Sequence, residues 1–179
     1  MKKIIGLAAL LFAVNCNAAL ITFEPTSASN SGALITYDNV ITPTTITGDA
    51  IFTLNVNGDF NSSYEYADLL LDGFSLGRIL DGDSGNDLFD FTNDTGNQSV
   101  STSTGVATIS ESIFSSLISD GFLNFSFDAS SDVNCCGTIN QLSGSISFTE
   151  TTSVPEPLQI GLLGLGLLGL VKLRKREQG

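Results

Sequence analysis

The chain has 179 residues and a formal net charge of −12, from 19 acidic residues against 7 basic ones, with no histidine and no tryptophan. That is room for one domain with a core of its own. An acidic chain of this kind is no candidate for holding nucleic acid or an anionic membrane on its folded surface, and without histidine it lacks the commonest acid/base and the commonest metal ligand.

The charge is segregated. Lys2, Lys3, Lys172, Arg174, Lys175 and Arg176 lie at the two ends, and 20–157 holds 18 acids and Arg78 alone, a net charge of −17. Lys2 and Lys3, followed by the apolar run 4–14 and the small residues Ala18 and Ala19, have the shape of a secretory signal peptide over 1–19, cut after Ala18 or Ala19. Cys16 follows Ala13-Val14-Asn15, a poor match to a lipidated cysteine.

The segment 20–150 reads as an exported β domain. Short strands are expected over 19–24, 33–37 (closed by Asp38-Asn39) and 50–56, where Ala50, Phe52, Leu54 and Val56 share a face. Asn57-Gly58 reads as a hairpin turn. Further strands are expected over 66–71, ended by Asp72-Gly73; 74–80, with a bulge at Gly77; 88–91; and 98–109, interrupted by Gly105. Ser110 caps a short helix over 111–118, with Ile113, Phe114, Leu117 and Ile118 on one side, stopped by Asp120-Gly121. Strands over 122–127 and 142–149 complete the domain, with Ile146 and Phe148 inward. Antiparallel strands with one apolar face must pair those faces, so the expected fold is all-β: an antiparallel two-sheet sandwich of jelly-roll type with one short helix. Twelve phenylalanines supply much of its core.

Residues 151–157 form a linker containing Pro155 and Pro157, which block helix and central strand alike. The Leu/Gly-rich segment 158–173 reads as a short transmembrane helix, and 174–179 as a basic tail that stays cytoplasmic while the acidic domain lies outside. The G-x-G-x-x-G spacing at 164–169 is not a dinucleotide site, because the chain ends ten residues later.

This C-terminal package resembles a bacterial family signal. Val154-Pro155-Glu156-Pro157, the apolar segment and the basic stop Arg174-Lys175-Arg176 are similar to the PEP-CTERM sorting region. The resemblance covers about 25 residues at the end of the chain. It implies export, delivery to an exosortase-like membrane protease, removal of the tail near the motif, and association with exopolysaccharide or a cell-surface glycan. It speaks to processing and address, not to the activity of the exported domain.

Two clusters stand out in the domain. Asp81, Asp83, Asp87 and Asp90 lie in a Gly-bearing loop and are candidate calcium ligands, since calcium takes six to eight hard oxygens. Thr92 stands where an EF-hand has its twelfth-position glutamate, and the alternative is a solvated acidic loop, with Asp81 or Asp83 paired to Arg78. Cys135 and Cys136 are adjacent; they bond to each other beside Gly137, pair between molecules, or stay as free thiols. No histidine or interior lysine stands ready to activate a serine. No feature selects one carboxylate pair for glycoside hydrolysis. The expected function is therefore non-catalytic: an exported surface or matrix protein, with a carbohydrate- or calcium-binding module as the alternative reading and a small glycan-active enzyme as the third.

Overall fold

The computed structural model describes residues 16–91 and 101–151. The signal segment up to residue 15, residues 98–100 of one expected strand, Thr92, the motif Val154, Pro155, Glu156 and Pro157, the apolar segment 158–173 and the basic tail with Arg174, Lys175 and Arg176 lie outside the described residues. Among the described residues no helix is long and apolar enough to cross a membrane.

Among the described residues, nine strands and one helix follow in the order β1 (Cys16–Ala28), β2 (Leu34–Ile41), β3 (Ile46–Gly58), β4 (Ala67–Leu71), β5 (Phe74–Ile79), β6 (Phe89–Phe91), β7 (Ser101–Ile109), α1 (Glu111–Leu117), β8 (Phe122–Ala129) and β9 (Ile139–Thr151). A five-stranded sheet runs β1-β9-β3-β7-β6 and a four-stranded sheet runs β2-β8-β4-β5. Every pairing between them is antiparallel. The fold is an all-β, two-sheet antiparallel sandwich with one short helix.

Strict alternation builds the core. Ala50, Phe52, Leu54 and Val56 of β3 and Leu123, Phe125 and Phe127 of β8 are all buried, each strand turning its even or odd set inward. Phe23, Phe52, Phe89 and Phe125 form a continuous aromatic cluster with ring centroids 5.1–5.5 Å apart. On α1, Phe114 is buried, as is Ile118 at its C-terminal cap, while Ile113 and Leu117 pack partly against the core. Asp72 and Gly73 both take positive φ, 46° and 77°, and make the tight β4–β5 hairpin. Opposite them Leu69 pairs with Gly77 and Leu70 with Ser75, so β5 carries a bulge beside Gly77.

Two turn expectations fail. Asp38-Asn39 does not end β2; Asn39 takes φ 57° at a register shift between Tyr37 and Val40, and the strand continues to Ile41. Asn57-Gly58 makes no hairpin; Gly58 pairs with both Ser101 and Ile139 inside the sheet. A Cβ at Gly58 would lie 2.5 Å from the Thr138 carbonyl oxygen and 2.8 Å from the Phe60 ring, so this glycine serves close approach rather than a turn.

The register separates two poles. Cys16 faces Thr151 and Ile46 faces Glu150 at one pole. Ala28 and Gly58 face Ile139, and Ala67 faces Ala129, at the other. The second pole carries the loops 29–33, 59–66 and 130–138, tied by bonds such as Ser31 Oγ to the Ser131 carbonyl and the Ser130 N–H to the Tyr66 carbonyl.

Tyr37 joins the sheets across the core edge. Its ring lies 5.2 Å from Phe23 and stacks on Phe125 at 6.0 Å, and its hydroxyl donates to the Glu24 carbonyl at 2.7 Å. Burial, with the Glu24 charge adding, pushes the phenol above its ordinary 10.0. The folded state thus holds the phenolic proton more tightly than the unfolded chain. That stability is complete below a pH of about 10 and is lost as the pH rises through the folded value. Tyr37→Phe is expected to cost about 1 kcal/mol at neutral pH through the lost hydrogen bond. It is also expected to flatten the fall of the urea midpoint above a pH of about 10. An unchanged alkaline profile in the variant would count against this role.

Candidate functional site

The acidic loop between β5 and β6 is folded on its own atoms. Asp81 accepts from the Asp83 N–H at 2.9 Å and from Asn86 Nδ2 at 2.7 Å, Asp83 accepts from the Gly85 N–H at 3.0 Å, and Asp87 accepts from the Phe89 N–H. Asp90 points outward from β6 into solvent. The loop returns onto β5, where Gly77 pairs with Asp87 and has φ 102°; a Cβ there would strike the Asp87 backbone. Arg78 does not turn to Asp81 or Asp83. It makes a bidentate bond to Asp68 at 2.9 and 3.0 Å, from the facing position on β4, and its guanidinium lies 3.7 Å over the Tyr66 ring.

Among the described residues, Asp59, Cys135 and Cys136 bring three ligand-type atoms within 4.8 Å of one another; the four aspartates of the 81–90 loop form no such group. Cys135 and Cys136 are joined by a disulfide and are solvent-exposed. Asp59, at 1% exposure, holds their loop from below. Its carboxylate accepts from the Cys135 N–H at 2.8 Å, the Asn134 N–H at 3.3 Å and Asn61 Nδ2 at 2.8 Å. Its own N–H donates to the Thr138 carbonyl at 2.8 Å. Thr138 in turn donates its N–H to the Cys135 carbonyl at 2.8 Å and its hydroxyl to the Ala28 carbonyl at 2.7 Å. Cys136, Gly137 and Thr138 take φ 58°, 101° and 52° in succession, a left-handed run that a β-branched threonine rarely tolerates. The bonds made by Asp59 and Thr138 hold it there.

The outer face of the five-stranded sheet is different in kind. Its three central strands present Ile51, Thr53, Asn55 and Asn57 from β3; Thr102, Thr104, Val106 and Thr108 from β7; and Gln141, Ser143, Ser145, Ser147 and Thr149 from β9. None of these is charged; the acids nearby are Asp49 on β3 at the end of the strand away from the disulfide loop, Glu24 on β1 and Asp90 on β6. The other sheet's outer face carries Asp38, Asp68, Arg78 and Asp128. On the uncharged face, next to the disulfide pole, Asn55, Val56, Asn57, Thr102, Gln141 and Ser143 line a groove of about 260 Å³. Asn57 Nδ2 donates to Thr102 Oγ1 at 2.6 Å, Thr104 Oγ1 to Asn55 Oδ1 at 2.8 Å, and Asn140 Nδ2 to Asn57 Oδ1 at 3.1 Å. These bonds fix the amide planes and leave Gln141 and Ser143 facing solvent along the same groove. Asn140 also abuts Gly137, where a Cβ would meet its side-chain oxygen, and so links the disulfide loop to Asn57 at the groove.

Sequence reading singled out neither Asp59 nor this face. Asp59 carried no motif. The face had a signal, the alternation of hydroxyl and amide residues with no charge over 51–57, 102–108 and 141–149. No family model, curated protein or solved structure matches this chain.

Proposed function

We propose that the chain is an exported, non-catalytic β-sandwich module that binds a neutral polysaccharide on the outer face of its five-stranded sheet. The observation that carries this reading is the groove lined by Asn55, Asn57, Thr102, Gln141 and Ser143, uncharged in a chain whose 20–157 segment has a net charge of −17. An anionic ligand is repelled by such a field, and a cationic one is drawn to the acidic sheet instead. Amides and hydroxyls aligned along extended strands suit the hydroxyls of a glycan chain. A groove this small and shallow suits one stretch of a polymer rather than an enclosed small molecule.

The finer fold reading is the jelly roll. Its support is the strand order, β1-β9-β3-β7 in one sheet and β2-β8-β4-β5 in the other, in which the chain changes sheet at every step except β4 to β5 and β6 to β7. The address rests on the terminal signals. The signal segment 1–19 would export the chain, and the Pro-Glu-Pro region with its apolar segment and basic stop would bring it to an exosortase-like protease at the membrane, then to the cell surface or matrix. Both ends of the described sandwich, Cys16 and Thr151, lie at the pole opposite the disulfide loop.

Titrating the detergent-solubilised full chain with neutral and with anionic polysaccharides tests the reading by calorimetry. Binding to a neutral polymer, insensitive to salt, is expected. Gln141→Ala combined with Ser143→Ala is expected to weaken it on the order of tenfold, since each lost hydrogen bond is worth about 1 kcal/mol. Binding only to anionic polymers, or a double variant that binds like the parent, would overturn it.

A further inference from the structure

We propose that reduction of the Cys135–Cys136 disulfide opens a site for a thiophilic divalent cation of the zinc class, held by both Sγ atoms and a carboxylate oxygen of Asp59. Three observations converge on it. The ligand atoms of the three residues already lie within 4.8 Å of one another. The carboxylate is buried at 1% exposure with no cation beside it; Arg78 is the one cation among the described residues, and Asp68 holds it. A buried charge is costly without a positive partner, and three N–H donors are dipoles rather than a counter-charge. Third, those donors already orient the carboxylate. Asn61 Nδ2 sits on Oδ1, and the Cys135 and Asn134 N–H groups sit on Oδ2, the supporting shell that a metal-bound carboxylate needs.

The donor set decides the metal. Two thiolates and one carboxylate suit zinc or cadmium, with water in the fourth position of a tetrahedron. Calcium, which wants only hard oxygens, is excluded at this position.

The chemistry balances with an external dithiol reductant. Its two thiols lose two electrons and two protons and become a disulfide. The Cys135–Cys136 sulfur–sulfur bond takes up both electrons and breaks, and each sulfur gains a proton. Cation binding then replaces those two protons, which leave to solvent as two metal–sulfur bonds form. Both cysteines are exposed, so reductant and cation reach them from outside.

The site lies beyond the polysaccharide groove and does not depend on it. It is tested on the full chain in detergent, in a Cys16→Ser background so that the pair is the sole source of thiol. Cadmium is added to the oxidised protein, and to protein reduced with excess dithiol that is then removed without air, with thiolate-to-metal absorbance and bound metal as readouts. One equivalent is expected on the reduced chain and none on the oxidised one. Asp59→Asn is expected to weaken uptake at least tenfold while keeping the thiolate absorbance, and Cys135→Ser/Cys136→Ser to abolish it with the thermal transition retained. No uptake on reduction, equal uptake by the oxidised chain, or an Asp59→Asn protein that binds as tightly as its parent would overturn the assignment. Polysaccharide titrations of the oxidised protein report on the groove separately, so failure of one reading leaves the other measurable.

Discussion

Phe52→Ala is expected to destabilise the protein by about 3–5 kcal/mol, the range for removing a buried phenylalanine from a core that cannot collapse around the gap. Phe52 is fully buried on β3, the strand hydrogen-bonded to both β7 and β9. Its ring lies 5.5 Å from Phe23 on β1, 5.3 Å from Phe89 on β6 and 5.2 Å from Phe125 on β8. It therefore touches both edges of its own sheet and the centre of the other. Loss of the ring removes apolar burial and three aromatic contacts together, and β-sheets on both sides resist closing the cavity. A domain of this size has a total stability of only about 5–15 kcal/mol, so the variant would unfold at a clearly lower urea concentration than the parent. Val106→Ala is the control. Val106 lies on the neighbouring strand at 43% exposure, and its loss is expected to stay within about 0.5 kcal/mol. Equal midpoints for the two variants would mean that the Phe cluster is not the centre of the fold.

The alternation that buries Phe52 was legible in the sequence, because period-two patterning is local and leaves no second option for an apolar face. The inward sets of β3 and β8 follow from it, the helix face around Phe114 follows from helical spacing, and the end of β4 follows from Asp72-Gly73. What was illegible depended on partners distant in the chain. Asn57-Gly58 has the composition of a hairpin, yet β3 runs through both residues because Gly58 is paired on both sides, with Ser101 and Ile139. Asp38-Asn39 has the composition of a stop, yet β8 carries the pairing past it to Phe122. Arg78 turned from the near acids to Asp68, since strand register sets the two directly opposite. The candidate groove is a fourth case. Its residues come from three strands, from Asn55 to Ser143 along the chain, and only the order β9-β3-β7 makes them neighbours. Asp59 carries the same lesson at one residue: no motif marks it, and besides nearby Asn61 its partners lie 75 and 76 positions away.

Asp59→Ala is expected to cost about 3 kcal/mol, nearly as much as a core truncation. Hydrogen bonds to a charged acceptor are worth about 1.5–3 kcal/mol each. The Asp59 carboxylate accepts three, and water can replace part of that set because Asn134 and Cys135 are exposed. Asp59→Asn should fall between parent and alanine. An amide keeps one accepting oxygen but turns an N–H toward donors on its other side, against either the Asn61 amide or the two backbone groups. Stability alone does not separate this anchor from an ordinary buried polar residue, so a second readout is needed. The three consecutive left-handed residues, Cys136, Gly137 and Thr138, are held by the Asp59 and Thr138 bonds. Without Asp59 the 130–138 loop opens locally at lower cost than the sandwich unfolds. An external dithiol should then reduce Cys135–Cys136 faster in the alanine variant, at a temperature where the sheets remain intact. In the oxidised protein no thiolate exists to bind a cation, so both effects belong to the hydrogen bonds themselves. A slower or unchanged reduction rate, with stability lost as expected, would show that Asp59 supports the sandwich rim rather than the disulfide loop.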